Sequence, residues 1–383
     1  MKIRHILAIL LVFAVVLCGC AGTEKPICES AEGTFNTQVD EEQILLKRTP
    51  ANNETVTLIN DDLVSFLDSH EFGKGLTVAK SRYKDQASSK PVTLTWRCNK
   101  ENTGYTVIYT TKQDFSDAVK VDTTEAQLVL EDLYVATTYY WQVVTHTADG
   151  DNYSTVFCFN TAETPRWITI QYVFNSRDLG GYLTEDGKYR IKQGLIYRGA
   201  RLDGISEKGI DKLLNVYKVK TDFDLWGSSD NGFNGVYSPA GDAIQYINVP
   251  GVGYANSIGG SGGIYVEGFR QELLVFMDEA NYPIYAHCSA GRDRCGTLMF
   301  HVGALLGMSK EQLIADYEMT YMSASSYPRG EMKGHDWMQA FLQRFESLPG
   351  DTYREKAENF WLVNGITQEQ IDRLRSIMLE EVN

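Results

Sequence analysis

Ala286-His287-Cys288-Ser289-Ala290-Gly291-Arg292-Asp293-Arg294-Cys295-Gly296 is the stretch that decides the fold. The apolar run Tyr282–Ala286 before it reads as a strand, and Thr297–Leu306 after it as a buried helix. A strand, a tight loop of small residues and a helix N-terminus make a place where backbone N–H groups and the helix dipole favour an anion. A cysteine there, Cys288, is a candidate nucleophile. Arg294 supplies a planar fork able to grip two phosphate oxygens. The pattern predicts hydrolysis of phosphate esters through a cysteinyl-phosphate.

Around this stretch the chain reads as mixed α/β from the linker Thr164-Pro165-Arg166 onward. Strands are expected at 194–198, 219–226 and 243–249. A hairpin is expected at 182–191, around Glu185-Asp186-Gly187. Helices are expected at 206–217, capped by Ser206, and at 266–280, 310–319, 336–345 and 368–379. Alternating strands and helices predict a mainly parallel central sheet flanked by helices. The glycine-rich stretch 251–263 reads either as a lid over the site or as a long surface loop.

Residues 89–163 differ. Val92, Leu94 and Trp96 alternate, as do Tyr105, Val107 and Tyr109, and Tyr139, Trp141 and Val143, with turn residues between. Short alternating strands at this spacing predict a β-sandwich. Leu133, Tyr139 and Trp141 resemble the corner of a fibronectin type III domain, where a tyrosine hydroxyl ties back to the backbone. Residues 20–88 read as a tether and a small N-terminal region, with Leu63, Phe66 and Leu67 on one face of a short helix starting near Asn60-Asp61.

The first 19 residues read as a leader, with Lys2, Arg4 and His5 before the apolar run Ile6–Leu17. Its end, Leu17-Cys18-Gly19-Cys20, resembles a bacterial lipobox. That resemblance implies cleavage before Cys20, a lipid on Cys20, and export to the periplasmic or outer side of a bacterial membrane; a plain secretory signal or an uncleaved anchor is the alternative. A formal charge of −14 over 383 residues argues against nucleic acid as a partner. Any anionic substrate must be held by local positive charge. Of the seven cysteines, Cys98 and Cys158 near the ends of two predicted strands read either as a disulfide or as two buried thiols. No Cys or His cluster has metal-ligand spacing, so neither metal nor cofactor is expected.

The stretch around Cys288 resembles the phosphate-binding loop of the cysteine-based protein tyrosine phosphatases. Asn175-Ser176-Arg177-Asp178-Leu179-Gly180-Gly181-Tyr182 is similar to the Asn-Phe-Arg-Asp-Leu-Gly-Gly motif of the bacterial tyrosine-protein phosphatase family, which includes atypical dual-specificity and phosphoinositide-active members. Tyr197-Arg198-Gly199 resembles its Tyr-Arg-Ser segment, and Asp222-Phe223-Asp224-Leu225-Trp226 its Asp-Leu-Arg strand end. Leu305-Leu306-Gly307-Met308 and Ile314-Ala315-Asp316-Tyr317 match its helical region. The resemblance spans residues 165–380 and implies a catalytic domain over 164–383.

It also implies roles. Cys288 attacks phosphorus, while the amides from Ser289 through Ala290, Gly291, Arg292 and Asp293 to Arg294, with the Arg294 guanidinium, bind the phosphoryl oxygens. His287 orients the loop or is a packed strand-end residue. Asp293 is the first candidate for general acid and then base, with Asp224 as runner-up. Arg177, Arg198 and Asp178 support the site, Asp178 being a possible partner of either arginine. Arg292 touches a second substrate phosphate or is a solvated loop charge. His301 is expected in the core.

Two departures stand out. Cys295 replaces a hydroxyl residue after the arginine, which slows turnover or pairs reversibly with Cys288. Trp226 replaces an arginine. The implied substrate is a phosphorylated protein, phosphotyrosine first, or a phosphoinositide or inositol phosphate. A catalytically weak phosphate-binding surface protein is the third reading, with the sandwich docking a protein or glycan.

Overall fold

In a computed structural model of the chain, the described residues are 48–68, 87–227, 237–259, 265–323 and 331–382, with backbone alone for 331–336. The leader, Cys20, the tether, Cys28 and residues 260–263 of the glycine-rich stretch lie outside them. No helix of the described residues is long and apolar enough to cross a membrane.

Five strands form the sheet beneath the loop, in the order Gln245–Asn248, Thr221–Asp224, Ile284–Cys288, Ile196–Ala200 and Arg177–Asp178. The first four run parallel and the last is antiparallel. The three inner strands are buried along their whole length, as a sheet covered on both faces requires. Alternate residues feed opposite layers. Ile284, Ala286 and Cys288 join the main core with Phe223 and the helix Arg294–Leu306. Tyr285 and Tyr197 turn the other way, onto Leu213 and Tyr217.

The helix Arg294–Leu306 begins three residues earlier than its apolar run suggests, with Asp293 as N-cap. Every residue from Cys295 to Leu306 is buried, so this is the central helix, and it stops at Gly307 in the left-handed conformation. Ser206 caps the helix Glu207–Asp211 as expected, accepting from Gly209 N–H at 3.1 Å, and the chain continues as a π-turn over Lys212–Val216. The helix Tyr353–Val363 was not anticipated, although Thr352 and Glu355 form a capping box at its start. The expected hairpin at 182–191 forms around Glu185-Asp186-Gly187, with Thr184 N–H on the Tyr189 carbonyl and Ile191 N–H on the Tyr182 carbonyl, both at 2.9 Å; the other edge of Tyr189–Ile191 pairs with Leu379–Glu381 near the C-terminus.

Between residues 92 and 161 the strands form two sheets. Val92–Thr95 pairs with Gln127–Leu130, while Gly104–Thr110, Val119–Thr123, Thr138–Thr147, Gly150–Tyr153 and Phe157–Thr161 build the larger one. Leu94 and Leu130 from the small sheet and Val107, Trp141 and Phe159 from the large one share a single apolar cluster. Tyr134 N–H donates to the Tyr139 hydroxyl at 2.8 Å. Cys98 and Cys158 are free thiols, not a disulfide. Cys98 packs on the shared cluster, whereas Cys158 points to the other face of the large sheet, against Tyr140 and Val144.

Residues 48–68 divide between the two bodies. Glu54–Val56 adds a parallel strand beside Phe157–Thr161. The helix Asp61–Asp68, its Leu63 N–H capped by Asn60 at 3.3 Å, buries Leu63 and Phe66 in the main core with Phe223 and Ile284. The corner at 131–135 closes the junction. Arg166 donates to the carbonyls of Leu133 and Asp132 at 3.0 and 2.6 Å and to Asp178 at 2.8 Å. The Gln193 amide binds both backbone groups of Val135 at 2.9 Å.

Candidate active site

Cys288 ends the central strand opposite Ala200, and Arg294 opens the central helix. Backbone contact sets the loop between them. Gly291 has φ +70°, and a Cβ there would lie 2.3 Å from the Gly199 carbonyl oxygen. At Gly199 the close approach is by side chains instead: a Cβ there would lie 2.1 Å from the Tyr285 hydroxyl and 2.9 Å from Ser176 Oγ.

Buried polar groups hold the loop from below. Asn175 donates to the Ala290 carbonyl at 2.9 Å. Arg198 donates to the Gly291 carbonyl and to Asp316. Arg177 reaches the same Asp316 carboxylate at 2.8 Å. Two guanidiniums thus share one carboxylate, leaving net positive charge under the phosphate loop. Burial opposes ionisation of Asp316, but the two arginines prevail and hold its pKa below the usual carboxylate value. Arg177 and Arg198 therefore support the site, through an aspartate to which the sequence reading gave no role. Asp178 is not their partner. It binds Arg166 and accepts from Gly180 and Gly194 N–H at 2.8 and 2.6 Å, because it sits on the neighbouring residue of an extended strand and faces the opposite way.

His287 is buried beside Asp222, Nε2 to Oδ1 at 2.8 Å. Burial disfavours its cation, yet the Asp222 carboxylate raises its pKa above the ordinary value. An imidazole so paired fits an orienting role. Asp224 accepts from Trp226 N–H and from the Tyr246 hydroxyl, both at 2.8 Å, and its side chain is only 10 % exposed. Asp293 is 35 % exposed at the loop surface, so of the two carboxylates it is the one open to a ligand.

Arg292 is not a solvated charge: it lies along the loop with Nε 2.8 Å from Asp293 Oδ1. The Tyr254 hydroxyl donates to the same oxygen. Tyr254 belongs to the glycine-rich stretch, whose described part packs against the loop and buries Tyr254, Ser257 and Ile258. The Arg294 guanidinium donates to the Leu225 carbonyl at 3.1 Å, and its stem runs beside Gly251, where a Cβ would stand 3.1 Å away. Glu272 is buried close by. One oxygen accepts from Val252 N–H at 2.9 Å; the other has no hydrogen-bond partner among the described residues. Burial lifts the Glu272 pKa well above the usual carboxylate range, against the pull of Val252 N–H and Arg294.

Cys295 is fully buried, and its thiol donates to the Ala286 carbonyl at 3.4 Å. Burial pushes its pKa up to about 12. Its one proton is turned away from the role of the hydroxyl it replaces. Trp226, in place of the family arginine, carries the Arg201 guanidinium 4.6 Å over its ring.

The sequence model of the tyrosine phosphatase family matches residues 168–380, more than half of the chain. The chain belongs to the tyrosine phosphatase family. Membership makes it a cysteine-based phosphatase, a hydrolase of phosphate esters. No curated protein matches the sequence. Among solved structures, the core catalytic domain of the PP-IP phosphatase SIW14 from S. cerevisiae, in complex with citrate, is 17% identical over 44% of this chain and 91% of its own, with a TM-score of 0.28. A second Siw14 catalytic core is 14% identical over 44% of this chain and 90% of its own, at 0.28. A computer-redesigned β-sandwich protein is 30% identical over 19% of this chain and 80% of its own, at 0.16.

Asp222, Arg166, Tyr254 and Glu272 were given no role at the site in the sequence reading. For Asp222 a signal existed, two residues before Asp224 on a strand predicted to neighbour Cys288. For the others the contacts join segments far apart in sequence.

Proposed function

We propose that the chain hydrolyses phosphate monoesters, phosphotyrosine first among them, through a phosphoryl group carried on Cys288. The observation that carries this reading is Cys288 at the end of a buried strand, facing the N-terminus of the central helix with Arg294 at its first turn. The Cys288 thiolate attacks phosphorus. A P–S bond forms, the bond to the leaving oxygen breaks, and that oxygen takes the Asp293 proton. The Asp293 carboxylate then accepts a proton from water as its oxygen bonds phosphorus and the P–S bond breaks, releasing phosphate and the thiolate. Loop amides and Arg294 hold the charge on the equatorial oxygens. The reading needs no metal or cofactor.

A phosphoinositide or inositol-phosphate substrate is the second reading. Arg201 favours it, being 42 % exposed at the rim with its backbone N–H on the Ser289 carbonyl. On this reading it would meet a second phosphate after leaving Asp203, whose Oδ2 is 3.5 Å from its Nε, as Arg292 would after release from Asp293. A panel of phosphotyrosyl peptides and inositol phosphates with purified protein tests the choice; a preference for phosphotyrosine unaffected by Arg201→Gln rejects the second reading.

The leader and Cys20 suggest export and lipid anchoring on the periplasmic or outer face of a bacterial membrane. Metabolic labelling with a fatty acid, lost in Cys20→Ser, tests this. The strand pattern and the Tyr139 tie suggest a fibronectin type III-like domain at 89–163, docking a protein or glycan.

A further inference from the structure

We infer that Tyr254 is a positioning residue for Asp293, holding its carboxyl at the loop surface and stabilising the charge it gains on giving up its proton. The inference rests on Asp293 being the proton donor. An ionised carboxylate only accepts hydrogen bonds, so the Tyr254 hydroxyl must spend its one proton on Asp293. The Tyr317 hydroxyl, 2.8 Å from that of Tyr254, then supplies the donor to the Tyr254 oxygen. A relay of hydroxyls thus ends on the carboxylate.

The backbone is built to deliver this hydroxyl. Tyr254 has φ +55°, in the left-handed region that an aromatic residue adopts at a cost. Contacts on both sides hold it there. Tyr254 N–H donates to Thr297 Oγ1 at 2.9 Å, and that hydroxyl donates to the Asp293 carbonyl at 2.8 Å, so one side chain ties both backbones. Val252 N–H is fixed on Glu272. Ser257 Oγ donates to the Tyr254 carbonyl at 2.7 Å and lies 3.1 Å from His301 Nε2 in the core. Trp337, half exposed, covers the outer side of the ring at 5.6 Å between centroids.

Burial and the neighbouring Asp293 push the Tyr254 pKa up, so the hydroxyl keeps its proton through the cycle. While Asp293 is protonated, the hydroxyl gains little from it. As the proton moves to the leaving group, the Tyr254 O–H and Arg292 N–H already aimed at the carboxylate strengthen. That is an interaction favouring the transition state over the ground state.

The test is the dependence of kcat/KM on leaving-group basicity, because a proton donor matters most for poor leaving groups. Wild type should lose little rate from p-nitrophenyl phosphate to phenyl phosphate, and Asp293→Asn should lose steeply. Tyr254→Phe should match wild type on p-nitrophenyl phosphate and fall about tenfold on phenyl phosphate, the worth of one hydrogen bond to a charged group. An equal loss on both substrates, or none on either, overturns the role of Tyr254 and leaves Asp293 as the donor. A shallow dependence in Asp293→Asn overturns both. If Tyr254→Phe does not fold, Tyr317→Phe, which removes the donor to Tyr254, carries the test: steepening supports the inference and an unchanged slope overturns it.

Discussion

Arg166 and Asp178 form a buried ion pair, Nη1 to Oδ2 at 2.8 Å, across the junction between the β-sheet region and the catalytic sheet. Asp178 is the neighbour of Arg177, and Arg177 reaches beneath the phosphate loop through Asp316. The corner at 131–135 is thereby connected to the catalytic motif by buried hydrogen bonds.

Breaking that pair leaves a charge buried without its partner. Arg166→Met is expected to cost about 3–5 kcal/mol of stability. Denaturant unfolding of Arg166→Met, Asp178→Asn and the double variant measures it. Additive losses would show that the pair is not coupled.

Gly291 has no room for a side chain. Gly291→Ala should move the loop off the Gly199 carbonyl and lower kcat/KM by roughly 100-fold, the cost of about an ångström of misplacement. Aryl-phosphate kinetics check this, with circular dichroism confirming the fold. Near-wild-type activity would mean that the loop does not need this close approach.

Cys295 should be chemically silent in the folded protein. With a pKa of about 12 and no exposure, it remains a thiol through the neutral range, and only a thiolate alkylates readily. Iodoacetamide at neutral pH should leave Cys295 unlabelled in the folded protein and label it only after unfolding. Peptide mass mapping reads the outcome. Labelling of Cys295 in the folded protein would contradict the buried position.

His301 sets part of the acid stability. It accepts from the Trp361 indole N–H at 3.0 Å, and burial lowers its pKa from 6.5 to about 3. Between those values the unfolded chain takes a proton that the native protein refuses. Stability should therefore fall as pH drops from 6.5 towards 3, by as much as roughly 4 kcal/mol from this residue. Unfolding free energies of wild type and His301→Gln across that range give the comparison. An unchanged slope in the variant would remove His301 from the account.

The strand, loop and helix around Cys288 were legible because a short continuous apolar run, a cluster of small residues and a long apolar run follow one another directly. The covered sheet followed from alternating strands and helices. What stayed hidden joins distant segments. Nothing local to Tyr254 marks it as a neighbour of Asp293, 39 positions away, and a glycine-rich setting reads as loop. Arg166 looked like linker because its carbonyl partners carry no side-chain signal. Asp178 was placed with the wrong arginines because sequence adjacency does not say which face of a strand a side chain takes. The turn residues made the 182–191 hairpin legible, but not that the other edge of Tyr189–Ile191 takes Leu379–Glu381 from the C-terminal end.

The central claim is a phosphoryl group carried on Cys288. Its most direct test is acid-quenched intact and peptide mass spectrometry of Asp293→Asn mixed with p-nitrophenyl phosphate, where loss of the base should let the intermediate accumulate. One phosphoryl group on the Cys288 peptide, absent in Cys288→Ser, is the predicted result. Turnover that persists in Cys288→Ser, or a phosphoryl group on another residue, would contradict it.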